Sequence, residues 1–136
     1  MINVVGTDLA DDLARNVFKK CHPELAFRFY GSNGKVIATI TNLSELISTL
    51  SETPATIAQF HIFRETTDGI FDQPLDGPVI RSDIALWINY VLDDAELARR
   101  VYEIGKTETD ADKLKETLLN ILKEREKELI ESIRSS

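Results

Sequence analysis

Three residues in the middle of the chain, His61, Arg64 and Asp83, have side chains that could bind a small ligand or move a proton. Histidine readily changes charge near neutral pH, so a His61–Asp83 pair could line a regulatory pocket or act as a base. The competing interpretation is a structural hydrogen bond that holds the helix containing Asp83, because buried polar groups usually have such partners. An aspartate near a helix N-terminus is more often a cap than a base, which favours the structural interpretation.

Trp87 is the chain's single tryptophan, and it shares a helical stripe with Ile84, Ile88 and Val91. An apolar stripe at this spacing usually faces the core of a domain. The alternative is an anchor for a protein partner, because tryptophan is enriched among the residues that dominate binding energy.

The remaining patterns favour no catalytic chemistry. Cys21 and His22 are adjacent, an arrangement in which the two side chains rarely point the same way, and no third orienting group is evident. Residues 31–34 have the composition of a turn, and the acids in residues 65–80 lack the spacing of a calcium loop. No phosphate-binding loop, dinucleotide fingerprint or nucleophile elbow occurs. We therefore expect no enzyme, no cofactor and no metal.

Composition restricts the class of protein. The chain has 136 residues, 43% of them hydrophobic and 29% charged, which is typical of a globular domain. A formal net charge of -7 disfavours nucleic-acid binding. One cysteine and two histidines are too few for a four-ligand zinc site, and one cysteine forms no internal disulfide. Without a signal segment or an apolar run of ~20 residues, the sequence predicts a soluble, cytoplasmic protein with no membrane contact.

Helical spacing and turn signals predict the elements of the first half. A helix should begin at Thr7 and end before Pro23, and residues 24–30 and 35–41 should form a hairpin around the turn at 31–34. Asn42 should cap a helix that runs to about residue 51. Residues 57–64 fit either a helix or a strand, and residues 65–80 read as a long loop.

The second half should be helical. Ser82 or Asp83 should begin the helix that holds Trp87, and Asp93-Asp94 should break or cap that same helix. The next helix should run from residue 95 to 104 and end at Gly105. A final helix from about residue 110 to 134 should follow, so we divide the chain into an α+β domain (1–105) and a helical extension (106–136).

The final helix carries an apolar stripe that must be buried somewhere. Three alternatives are open: packing on its own domain, pairing with a second copy, or docking on another protein. Arg125 interrupts the stripe. Together with Trp87, the candidate interface residues are Leu114, Leu118, Ile121, Leu122 and Leu129.

Four blocks of sequence suggest a relationship to known domains: Ile-Thr-Asn-Leu-Ser-Glu-Leu at 40–46, Gln-Phe-His at 59–61, Ser-Asp-Ile-Ala-Leu-Trp-Ile at 82–88 and Asp-Ala-Glu-Leu-Ala at 94–98. With these blocks, residues 35–101 resemble a family of small prokaryotic domains of unknown function, in which the third block resembles Asn-Asp-Phe-x-x-Trp-Ile. Here Ser82 stands for the Asn and Ile84 for the Phe. The resemblance implies the order of the elements and a cytoplasmic setting, and it transfers no mechanism.

The sequence therefore predicts an α+β fold: a β-hairpin-based small antiparallel sheet, with one or two added strands possible, covered by helices and followed by a long C-terminal helix. The leading functional prediction is a non-catalytic binding or assembly module that acts through protein–protein contacts, including self-association. The alternative is a small-ligand-binding regulatory domain with a pocket near His61, Arg64 and Asp83. A third hypothesis is a cofactor-independent enzyme with His61 as its base.

Overall fold

The computed structural model describes residues 13–31, 33–62, 64–68 and 74–134, and in 64–68, 74–81 and 133–134 it describes the backbone. Within these ranges the chain has an α+β fold, with two separate two-stranded antiparallel sheets, several helices and a long C-terminal helix. The predicted fold class is confirmed.

The strands are β1 (Phe27–Tyr30), β2 (Val36–Ile40), β3 (Arg64–Asp68) and β4 (Pro74–Arg81). The α-helices are α1 (Leu43–Glu52), α2 (Ala55–Ile62), α3 (Asp83–Tyr90), α4 (Ala95–Thr107) and α5 (Ala111–Arg134), and a 3-10 turn spans Pro23–Leu25. In the part of the chain that the structure describes, no helix is long and apolar enough to cross a membrane.

The predicted first hairpin is confirmed, and its alternation directs two aromatic rings into the core. Phe27 and Phe29 are buried, whereas Arg28 and Tyr30 on the opposite face of β1 are exposed. Leu25, two residues before Phe27, belongs to the 3-10 turn before β1 and is exposed. Helix α1 packs beside β2, and helix α2 packs beside β1.

Helix α1 begins with the predicted capping interactions. The Asn42 side chain accepts a hydrogen bond from the Glu45 N–H at 2.8 Å. The Glu45 carboxylate in turn accepts from the backbone N–H and the hydroxyl of Thr41, at 2.7 and 2.6 Å. These bonds, the one from the hydroxyl above all, lower the pKa of Glu45. The cap therefore satisfies donors at the helix start, where no intrahelical partner exists.

The predicted loop over residues 65–80 is wrong. Strands β3 and β4 pair antiparallel, with Arg64 opposite Arg81 and Thr66 opposite Val79. Residues 57–64 fitted either a helix or a strand. In the structure, the part up to Ile62 is helix and Arg64 begins a strand. β-Branched residues at both ends of the segment favour strand structure, and this outweighs the turn signals between them. The second hairpin forms its own sheet, so it adds no strand to β1 and β2.

Two helix ends also differ from prediction. The first helix was expected to begin at Thr7, which lies outside the described residues, and to end before Pro23. In the structure, the helical residues of this segment end at residue 15. Gly105 was expected to end α4, but it is buried inside that helix, which continues to Thr107. Gly105 extends the buried stripe of Leu97 and Val101 at i+4 spacing, so packing against the core overrides the low helix propensity of glycine.

Caps set the positions of α3 and α4, and the cap of α3 at Ser82 was predicted. The Ser82 hydroxyl accepts from the Ala85 N–H at 3.2 Å, and Asp94 accepts from the Leu97 N–H at 3.1 Å. Asp93 between the two helices has a φ of 57°, a left-handed conformation that aspartate tolerates better than most residues. The short link brings α4 back against α3.

The final helix packs on its own chain, which was one of the three alternatives. Helix α5 contacts α1, α2 and α4, and the predicted boundary at residue 105 falls inside α4. Its stripe belongs to the same hydrophobic core as β1, β2 and the other helices. The buried leucines of this helix are Leu114, Leu118, Leu122 and Leu129.

Candidate functional site

His61 lies at the end of α2 and joins β1 to α3. His61 is 2% exposed. Nε2 accepts a hydrogen bond from the Tyr30 backbone N–H at 3.2 Å, and Nδ1 lies 3.3 Å from Asp83 Oδ2. The structure therefore brings the predicted pair of His61 and Asp83 together.

The partners of His61 determine its tautomer. A backbone N–H only donates, so Nε2 must be the acceptor and the proton of the neutral ring lies on Nδ1, directed at Asp83. A second proton on Nε2 would face the Tyr30 N–H. Because both ring nitrogens have partners inside the fold, the geometry favours the structural interpretation of His61 over a base that receives a substrate proton.

This role predicts a large loss of stability for His61→Ala. The substitution leaves a cavity among rings and a buried N–H at Tyr30 without its acceptor, which should lower the free energy of unfolding by about 2–4 kcal/mol. Urea denaturation measures the loss. The matched control is His22→Ala at an exposed site, and a His61→Ala cost as small as that of the control would contradict the structural role.

Aromatic rings surround His61. Trp87 closes one side of the cluster, where its Nε1 donates to the Leu25 carbonyl oxygen at 2.7 Å and its ring lies 5.9 Å from that of Phe27. The ring centroids around His61 belong to Phe29 at 5.1 Å, Phe60 at 5.2 Å, Phe27 at 5.4 Å and Tyr30 at 6.3 Å. Trp87 thus packs in the core, and only its edge reaches the surface.

A concave surface lies over this cluster, and we call it the aromatic groove. Its volume is about 450 Å³. It is lined by Ala26, Phe27, Arg28, Tyr30, Phe60, His61, Asp83, Leu86 and Trp87. Buried rings and hydrogen bonds form its floor, and exposed side chains form its rim.

The secondary structure explains which side chains reach the groove. Tyr30 and Arg28 share the outward face of β1 because alternate residues of a strand point the same way. On α3, Asp83, Leu86 and Trp87 are separated by three and four residues, so they share one helical face. That face meets β1 where Trp87 bonds to the backbone before the strand.

The other predicted site residues are Arg64 and the apolar residues of α5. Arg64 begins β3, and its side chain lies outside the described part of the chain. The leucines of α5 that were candidate interface residues are buried in the chain's own core, and Ile121 is partly buried against it. The four leucines are therefore covered by the chain's own core while the domain is folded.

Sequence reasoning missed three rim residues, Tyr30, Phe60 and Leu86. Tyr30 alternates with the buried Phe29 along β1, and Leu86 lies two positions from the buried Ile84 and Ile88 of α3. For Tyr30 the available signal was its place on the same face of the strand as Arg28.

Elsewhere in the described part of the chain, Cys21 and the possible metal ligands give no further candidate site. Burial raises the pKa of the Cys21 thiol, which reduces its thiolate fraction and its reactivity. Among the residues that the structure describes, no three His, Cys, Asp or Glu side chains are grouped so that they could hold a metal ion.

A comparison with protein families gives a match over residues 14–136 to the Family of unknown function (DUF5752). The chain belongs to this family. The DUF5752 match includes both hairpins and the helices from α1 to α5, so the groove is built within the family region. No curated protein and no solved structure matches the chain. The description of DUF5752 names no activity, and the function must be argued from the groove.

Proposed function

We propose that the chain is a non-catalytic protein-binding module that acts through the aromatic groove. One observation carries the proposal: three large apolar side chains from three elements surround one concavity while remaining exposed. Tyr30 is 46%, Phe60 48% and Leu86 39% exposed. Clustered apolar exposure of this kind marks interaction sites, and aromatic side chains are frequent among residues that dominate binding energy.

The support under the rim also favours binding. His61 joins Tyr30 and Asp83, and Trp87 is held by its bond to Leu25. A surface fixed in this way loses little conformational entropy when a partner binds. The two hydrogen bonds of His61 support a positioning role for this residue over a catalytic one.

Two positions of the block shared with small prokaryotic domains lie in the groove. In the Asn-Asp-Phe-x-x-Trp-Ile block of the prokaryotic domains, the Asp and Trp positions correspond to Asp83 and Trp87, and both line the groove. A cytoplasmic location belongs to the same proposal. The net charge of -7 supports a protein partner over a nucleic acid.

A second candidate function is the binding of a small ligand. The groove volume of about 450 Å³ falls in the range of ligand pockets. Asp83 and His61 would then contribute polar groups, with Arg64 as a further candidate from the sequence. A metabolite that raises the melting temperature of the wild type, but not that of Phe60→Ser, would favour this function, because binding to the folded state stabilises it.

The test of the protein-binding function is a comparison of three immobilised full-length baits: wild type, Phe60→Ser and Phe18→Ser. Phe18 is 65% exposed and lies outside the groove, so it is a matched control for the loss of an exposed phenylalanine. Proteins from cells that encode the chain are captured and quantified by mass spectrometry. We expect a partner that the wild type and Phe18→Ser retain and that Phe60→Ser loses by about tenfold or more.

Equal capture by all three baits would contradict the proposal. The oligomeric state of the three proteins, measured by light scattering, identifies the case in which the partner is a second copy. In that case Phe60→Ser alone should shift the mass towards the monomer.

A further inference from the structure

The outer side of the β1–β2 hairpin is an exposed apolar surface. Tyr30, Val36 and Ile37 are each nearly half exposed. Alternation from the buried Ile40 would direct Val36 inward. The ladder is irregular beside Tyr30, so Val36 and Ile37 both reach the outer side. Large apolar side chains that stay exposed together mark interaction sites.

This surface continues into the aromatic groove. Arg28 and Tyr30 share the outward side of β1, and both line the groove. The register places Tyr30 opposite Val36, so the groove and the second strand meet at this pair. Lys35 precedes β2 at the tip of the hairpin and is exposed. We call Arg28, Tyr30, Lys35, Val36 and Ile37 the hairpin face.

The two cations of the hairpin face are Arg28 and Lys35. Arg28 is exposed, and its Nη2 lies 3.4 Å from the Pro23 carbonyl oxygen, which carries no net charge. Among the residues that the structure describes, no carboxylate forms an ion pair with Arg28 or Lys35. The arginines of the helices differ, since Arg100 and Arg125 bind carboxylates of the chain itself. The positive charges of the hairpin face are therefore available to a partner.

Positive charge is concentrated in the part of the chain that contains the hairpin. Residues 13–41 contain five Lys and Arg residues and a single acid, Glu24. Residues 42–136 contain eleven Lys and Arg residues and nineteen acids. Exposed charges act mainly within a Debye length of about 8 Å at physiological salt, so a partner at the hairpin meets local charges more strongly than the net charge of -7. An acidic segment is therefore favoured at the hairpin over the helices.

Two of these lysines lie at the end of the hairpin away from its tip. Lys19 and Lys20 are exposed, and the next residue, Cys21, donates its backbone N–H to the Thr41 carbonyl oxygen at 2.9 Å, just beyond β2. The pKa of Glu45 is lowered by its hydrogen bonds from Thr41 and, to a smaller extent, by Lys20. The charge of Lys20 is thus partly offset within the chain, and Lys19 is the cation that a partner meets at this end.

We propose that the hairpin face binds an acidic segment of a partner protein in which carboxylates flank an apolar side chain. This inference rests on the proposed protein-binding function and names the chemistry of the partner. The carboxylates pair with Arg28 and Lys35, and the apolar side chain packs on Tyr30 and Ile37. The segment lies along the hairpin and away from Asp83 on the opposite wall of the groove.

A nucleic acid is the other class of anionic partner. The centre of the hairpin face is formed by Val36 and Ile37, aliphatic side chains that offer no ring on which a base could stack. A long polyanion would also meet the acidic remainder of the chain. These two features favour a short acidic segment of a protein.

The experiment uses four pools of capped nonapeptides with leucine at the centre and Glu, Gln, Lys or Ser fixed at the third and seventh positions. The other positions are random uncharged residues. Each pool is passed over the immobilised full-length protein, and the retained fraction is measured by mass spectrometry. A thymidine oligonucleotide, followed by fluorescence anisotropy, is the nucleic-acid probe.

The variants separate charge from apolar contact. Arg28→Gln and Lys35→Gln remove one charge each, and Ile37→Ser removes an apolar side chain. The matched control is Lys113→Gln, which removes an exposed cation at the start of α5. Melting curves identify any variant that fails to fold, and if Arg28→Gln fails, Lys35→Gln beside the exposed turn decides.

We expect the Glu pool to be retained at least about fivefold better than the other three pools. Arg28→Gln and Lys35→Gln should each reduce that preference, and Lys113→Gln should leave it unchanged. The effect of Arg28→Gln should be the larger, because a planar guanidinium can form two parallel hydrogen bonds with one carboxylate. Ile37→Ser should weaken retention of the Glu and Gln pools alike, and higher salt should reduce the preference for Glu.

Equal or better retention of the Gln, Ser or Lys pool overturns the inference. Tighter binding of the oligonucleotide than of the Glu pool overturns the class of partner. If another pool is retained and its retention depends on Phe60, protein binding at the groove stands with a different partner chemistry. If no pool is retained, the acidic-segment inference fails, and the capture experiment with the three baits decides the proposed function separately.

Discussion

A chain that ends after Thr107 should fail to fold cooperatively. The truncation removes α5, and with it four leucines of the core, Leu114, Leu118, Leu122 and Leu129. Burying one leucine contributes about 1.5–3 kcal/mol, so the four together match the stability of about 5–15 kcal/mol of an ordinary domain. The truncation also uncovers the faces of α1, α2 and α4 that α5 contacts. Circular dichroism during heating and the dispersion of amide proton shifts measure the outcome.

The control is a chain that ends after Ser132. It loses the last four residues and keeps every buried leucine of α5, so it should melt within a few degrees of the full chain. A 1–107 fragment with a sharp melting transition and well-dispersed amide shifts would show that α5 is an independent extension. In that case the boundary predicted from the sequence near residue 105 would stand.

The spacing of apolar residues predicts the final helix but not the surface on which it packs. Apolar residues at three- and four-residue spacing predicted the helix and its stripe, because the period of a helix is a local property. They left its packing partner open, since the same stripe can be buried on its own chain or on another. The partner is set by the complementary faces of α1, α2 and α4, which assemble only in the fold.

Local signals succeeded where their physical cause is local. The hairpin of β1 and β2 and the caps at Asn42 and Ser82 follow from residues within a few positions of each other. They failed where packing outweighs a local preference. Gly105 was expected to end α4, but it continues the buried stripe of that helix. The hairpin of β3 and β4 was not predicted, because the turn-forming residues of this segment concealed the strand signal at its two ends.

The candidate site was partly predictable for the same reasons. The contact between His61 and Asp83 was expected, because a histidine and an aspartate on apolar elements require partners when they are buried. The groove itself was not predicted. Tyr30, Phe60 and Leu86 are far apart in sequence, and they meet only when β1, α2 and α3 pack together. The sequence around each of them does not show which residues will be its neighbours.

Replacing Arg125 with leucine should destabilise the protein strongly, although leucine would complete the apolar stripe of α5. Arg125 binds Asp94 through two hydrogen bonds, Nε to Oδ2 at 2.8 Å and Nη2 to Oδ1 at 3.0 Å. Asp94 is 4% exposed and also caps α4 through the Leu97 N–H. The contact with Asp94 is the main cause that raises the pKa of Arg125. Without the guanidinium, a buried carboxylate loses its counter-ion, which costs about 3–5 kcal/mol in comparable cases.

Two further variants separate the buried pair from the surface charges around it. Arg100→Leu removes an arginine whose partners are the exposed Glu96 and the partly exposed Glu128, so it should cost about 1 kcal/mol or less. The double variant Asp94→Asn with Arg125→Leu keeps an oxygen for the cap of α4 and removes both charges. It should therefore be more stable than Arg125→Leu alone, because no unpaired charge remains buried. Urea denaturation at neutral pH measures all three, and an Arg125→Leu cost no larger than that of Arg100→Leu would refute the buried-pair explanation for the arginine in the stripe.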